Sequence, residues 1–183
     1  MQLPLDASPF GAEIIQCAPG RCPMSIPASI ERFVTSNGVP FTPIHHRVAF
    51  TAQEEAAAAH VPGREWAKTV ACLADGKPLL ALLPAHYQVD VAALKAITKA
   101  KDVRLATEHE LAGLYPDCDT GAMAPFGSLY GQPVYMDESL AADPEIVFHA
   151  GTHADAMRMR LTDFMKLVQP VRGHFATPIH RGH

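Results

Sequence analysis

Apolar residues recur along this chain in short blocks of two periods, and the switch between them predicts its elements. Ile26, Ile30, Phe33 and Val34 keep helical spacing after Ser25 and Pro27, so a helix is expected over about 27–36, closed by Asn37-Gly38. Residues 40–50, with Phe41, Ile44 and Val48 among polar neighbours, read as extended. Thr51 followed by Glu54 reads as a capping box for an alanine-rich helix from Ala52 to His60. Residues 66–73 are rich in β formers, and Asp75-Gly76 turns them into the apolar run 78–83, a hairpin pattern. Val91, Leu94 and Ile97 return to helical spacing within 89–100. A short strand at 103–105 precedes a second capping box, Thr107 with Glu110, which opens a helix through Leu114. Strands are expected at 133–136 and 146–149. Over 155–161 the alternation of Met157, Met159 and Leu161 with Ala156, Arg158 and Arg160 has period two, another strand. Residues 162–168 read as a last helix stopped by Pro170, and the three-histidine tail 173–183 shows no pattern.

These elements describe an α/β fold, mixed, with a mostly antiparallel sheet and surrounding helices. Residues 1–23 carry Pro4, Pro9, Pro19, Gly20 and Pro23 with little periodicity, and are expected to be a poorly ordered N-terminal extension. One domain is then expected over 24–172, followed by the tail 173–183. At 183 residues and 48% hydrophobic, the chain is long enough for one substantial core.

Charge narrows the function classes. A net charge of −4 excludes gripping long stretches of nucleic acid by phosphate neutralisation, which needs a strongly basic face, and leaves room for a local contact. Lys95, Lys99, Lys101 and Arg104 form the local basic cluster, either a contact for a few phosphates or a solvated helix face. Cys17, Cys22, Cys72 and Cys118 form no CxxC pair and read as reduced thiols. With no apolar run of membrane-spanning length and no secretory leader pattern, the expectation is a soluble, cytoplasmic protein with no membrane partner.

Three places carry candidate chemistry. Gly121-Ala122-Met123-Ala124-Pro125-Phe126-Gly127 holds no acid, base or nucleophile, so as a site it binds by shape and main-chain groups; as a plain connection it is an ordinary Gly/Pro loop. Lys68 interrupts an apolar strand, a costly position unless the ammonium faces a cavity, a partner or the wet side of the sheet. Gly151-Thr152-His153 is a second small-residue turn with a hydroxyl beside an imidazole, either a site group or a surface turn. Nothing matches HExxH, a Cys/His zinc pattern, GxSxG, a phosphate loop or GxGxxG, so no metal and no cofactor are expected.

In that order, Lys68 within Arg64-Glu65-Trp66-Ala67-Lys68-Thr69-Val70, the GxxxP loop Gly121–Pro125, and Ala150-Gly151-Thr152-His153 followed by a strand and the Asp163–Leu167 helix resemble the YbaK family. Its members are freestanding aminoacyl-tRNA deacylases related to the editing domain of bacterial prolyl-tRNA synthetases. The resemblance covers about 24–170. It implies hydrolysis of the ester joining a wrong amino acid to a tRNA 3′ end, with a proline tRNA the expected carrier and a synthetase an additional candidate partner. It implies a substrate-holding Lys68, a loop of Gly121, Ala122, Met123, Ala124, Pro125 and Phe126 around the ester, Gly151, Thr152 and His153 beside it, and a ribose hydroxyl assisting the attacking water. A positioned water and oxyanion donors suffice for an activated ester, which suits a chain without a nucleophile constellation. His153 is expected to orient loop or substrate. A non-catalytic binding module for aminoacyl-tRNA or a small ligand stands as the alternative.

Overall fold

The computed structural model describes residues 26–48 and 51–179; the expectations for residues 1–23 and for the end of the tail lie outside them. Helix α1 (Ala28–Ser36) buries Ile30 and Val34, the positions that set its period. Strand β1 (Thr42–His45) is shorter than the expected extended stretch. It leads to α2 (Ala52–Ala58), where Glu54 N–H donates to the Thr51 hydroxyl at 3.3 Å. Strands β2 (Trp66–Ala74) and β3 (Lys77–Pro84) form the expected hairpin; Asp75 and Gly76 both take positive φ, 48° and 78°, as a twist-matched two-residue turn requires.

After β3 the pattern reading placed one helix over 89–100. The structure splits that segment into β4 (Tyr87–Val89), the cap Asp90 and α3 (Val91–Thr98). The Asp90 side chain accepts the Ala93 N–H, which ends the strand and starts the helix within one residue. Strand β5 (Val103–Leu105) and α4 (Glu108–Leu114) follow, with both halves of the Thr107/Glu110 capping box made. Two short 3-10 turns flank β6 (Val134–Asp137). Then come β7 (Glu145–Thr152), β8 (Asp155–Arg160) and α5 (Leu161–Val168). Where no pattern was visible, β9 (Val171–Gly173) and β10 (Ala176–Pro178) form.

The main sheet runs β1-β8-β7-β2-β3-β6-β9 with β5 beside β2, and β10 pairs with β4 apart from it. Antiparallel pairs are in the majority, as expected, but β2–β7, β3–β6 and β6–β9 are parallel. One face packs Ala67, Leu82, Phe148, Met157 and Met159 under α1 and α5. The other carries Trp66 with Val147 and Ala156, and beyond it Cys72, Leu79 and Ala81 under α3. Among the described residues no helix is long and apolar enough to cross a membrane.

Candidate functional site

Strand alternation puts Lys68 on the face of Trp66, Val70 and Cys72. Trp66 belongs to one apolar cluster and Cys72 to another, with Val70 packed against the latter, so Lys68 falls in the gap between them. Burial pushes its ammonium below the ordinary lysine value, and no hydrogen bond or ion pair reaches it among the described residues. A half-buried cation with no counter-charge is held at a cost that a ligand can offset.

The parallel pairing of β2 with β7 joins Trp66 to Val147 and Ala67 to Phe148, and stops there. Lys68 and His149 are the next residues of the two strands, one step past the last pair. The His149 ring packs edge-on against Trp66, centroids 5.4 Å apart, and lies 5.9 Å from the ring of His153. The His149 Nδ1–H donates to the Thr152 carbonyl at 3.2 Å across the bulge between His149 and Thr152.

From His153 the contacts continue into the glycine loop. Its Nε2–H donates to the Thr120 carbonyl at 3.0 Å, and its ring lies 3.9 Å from where a Cβ on Gly121 would stand. The main chain stitches the same two segments. Asp119 N–H donates to the Gly151 carbonyl at 2.8 Å, Gly151 N–H to the Ala122 carbonyl at 3.0 Å, and Ala122 N–H to the Asp119 carbonyl at 2.9 Å. His153 N–H adds a bond to Asp119 Oδ2 at 3.2 Å. The N–H groups of Gly121 and Met123 have no main-chain acceptor among the described residues. Gly151 sits at φ 99°, and a Cβ there would stand 2.7 Å from Pro27, so glycine is needed to let α1 close over the turn.

His149, His153 and Gly121 thus follow one another through these contacts at the seam where β2 and β7 part, with Lys68 one residue past the last paired position on β2. The expected site residues divide on either side of it. Gly121 is exposed and His153 half-exposed at the seam, whereas Ala122, Met123, Ala124, Pro125 and Phe126 are buried. Ala124 and Phe126 pack with Ala67 and Phe148, and Met123 with Ala71 and Tyr115, on the face opposite Lys68. Met123, Ala124 and Phe126 thus hold the loop in place by their side chains. Thr152 is likewise occupied: its hydroxyl donates to Asp155 Oδ2 at 2.6 Å, and Asp155, fully buried, also takes His45 Nδ1 at 2.9 Å.

Beneath the loop, burial favours the neutral form of Asp117, but the hydroxyls of Ser29 and Tyr130 donate to it and hold it below its ordinary value. Burial raises the Cys118 thiol beside it. Three residues at the seam had no pattern to announce them. His149 was one imidazole among ten, Asp119 one loop carboxylate among several, and Thr69 the strand neighbour of Lys68, whose buried hydroxyl has no partner. Adjacency to Lys68 and to the glycine loop was the available signal for two of them.

Comparison with known proteins identifies the family and the fold. Residues 46–167 match the family model of the aminoacyl-tRNA editing domain. A crystal structure of a hypothetical protein, APE2540, superposes with a TM-score of 0.74 at 17% identity, covering 81% of this chain and 99% of that one. A second, described as a candidate trans-editing enzyme for prolyl tRNA synthetase, superposes at 0.72 with 20% identity, covering 82% and 98%. No curated protein matches the sequence.

Proposed function

The chain belongs to the aminoacyl-tRNA editing domain family, and from that premise we propose that it is a trans-editing deacylase, releasing a small non-cognate amino acid from the 3′ end of a proline tRNA. One observation carries the reading furthest: beside His153, the Gly121 and Met123 N–H groups of the glycine loop lack main-chain acceptors among the described residues, in a chain whose β2 also holds a half-buried Lys68 without a partner among them. The ammonium suits the electron-rich terminal nucleotide. The N–H groups suit the oxygen that becomes negative when water adds to the ester carbon.

The reaction is written with these parts. The ester lies against the Gly121 main chain, with His153 packed beside it. A water, held by the neighbouring ribose hydroxyl, attacks the carbonyl carbon; the oxyanion forms against the loop N–H groups; the C–O bond to the ribose breaks and the ribose oxygen takes the proton. With its Nε2–H spent on the Thr120 carbonyl, His153 positions the loop. His149, its Nδ1–H on the Thr152 carbonyl, holds the turn that carries His153.

A panel of proline, alanine and cysteine tRNAs charged with alanine, serine, threonine or cysteine tests the proposal, with a known editing enzyme run in parallel. The expected outcome is release that is fastest from a mischarged proline tRNA. Tight binding of charged tRNA without release would replace it by the binding-module reading.

A further inference from the structure

An aminoacyl ester has a feature that the groups assigned so far leave unmatched. Its α-amino group is free, and it is largely protonated near neutral pH. A cation brought to the glycine loop needs an anion, and three carboxylates adjoin the two loops. Asp155 is fully buried with both oxygens taken, by His45 and Thr152. Asp117 has both oxygens taken, by Ser29 and Tyr130. Asp119 differs. It is exposed, one oxygen accepts the His153 N–H, and no Lys or Arg among the described residues pairs with it.

Asp119 is also held in place. Its N–H is bound to the Gly151 carbonyl and its own carbonyl receives the Ala122 N–H, so its main chain bridges both segments of the seam. The bond from His153 N–H to Oδ2 then orients the carboxylate, leaving Oδ1 without a partner among the described residues, on an exposed residue two positions before Gly121. We infer that Asp119 Oδ1 binds the α-ammonium of the aminoacyl ester, making Asp119 a specificity-determining residue that selects esters of free amino acids over those lacking the charged amine. The inference rests on the deacylase reading.

The test uses one tRNA carrying either an alanyl ester or a lactyl ester, in which a hydroxyl of similar size replaces the ammonium. Single-turnover release by the full chain is divided by the spontaneous rate of each ester. Wild type is expected to favour the alanyl ester by about ten- to a hundredfold, the range of one charge-assisted hydrogen bond. Asp119→Asn keeps an acceptor for His153 N–H and removes the charge. It is expected to bring the ratio near one by slowing the alanyl ester alone, with an unchanged thermal midpoint. Equal wild-type rates on the two esters, or equal slowing of both by the variant, would overturn the inference and leave the deacylase reading standing. Failure of wild type to release any amino acid in the wider panel would sink that reading first, and this one with it.

Discussion

At the scale of single residues, Lys68 sets the terms of the site. Its ammonium is partly stripped of water and gains no partner among the described residues in return, so it weakens the fold, a cost that the proposed ligand would offset. Its pKa lies below that of the unfolded chain. The penalty is therefore fully present below the folded value and fades as pH rises through it toward the unfolded one. Lys68→Met should abolish most deacylation, at least about tenfold by the worth of a charged hydrogen bond, while its thermal midpoint at neutral pH equals or exceeds that of wild type. A variant that lost activity and stability together would make the lysine structural. The residue is legible in the sequence because a charge in an apolar strand breaks a pattern. His149 breaks none, and the tie between His45 and Asp155 spans 110 positions, so neither has a local trace.

Among the elements, legibility followed the reach of the contacts. The Asp75-Gly76 hairpin and the Thr107/Glu110 helix start are built from neighbours, and both appear where the pattern put them. Strands β4, β9 and β10 have three residues each, too few for a period to show, and exist because distant partners hold them. Asp137, at 3% exposure, does much of that holding. It accepts the N–H of Ser139 at 3.0 Å, of Phe175 at 2.7 Å and of Ala176 at 2.8 Å, fastening the end of the chain beside β6. Asp137→Ala would leave those donors without an acceptor, a loss of about 2–4 kcal/mol. Denaturant unfolding should show it, and hydrogen exchange should show the amides of Phe175 and Ala176 losing protection first. Unchanged exchange there would mean that Phe175, 1% exposed under α3, anchors the tail by packing alone.

For the whole molecule, charge limits how a tRNA can be held. Lys95, Lys99 and Lys101 are exposed, while Arg104 is taken up by Glu110 at 2.6 and 2.8 Å. The hairpin end near them lies about 20 Å along β2 from Lys68, out of reach of an ester bound there. With a net charge of −4, only a few phosphates can be engaged. The logarithm of tRNA affinity against that of salt concentration should fall with a slope no steeper than about −3. A steeper slope would point to an extended basic surface.

The parallel seam has a further consequence for the life of the chain. Lys68 leaves the ribosome about eighty residues before His149, and the strand ends that carry them meet only when β7 lays itself against β2. A nascent chain ending before residue 145 holds the lysine and the glycine loop with nothing opposite them. The proposed hydrolysis would then be an attribute of synthesis carried past that point, with a shorter nascent chain silent.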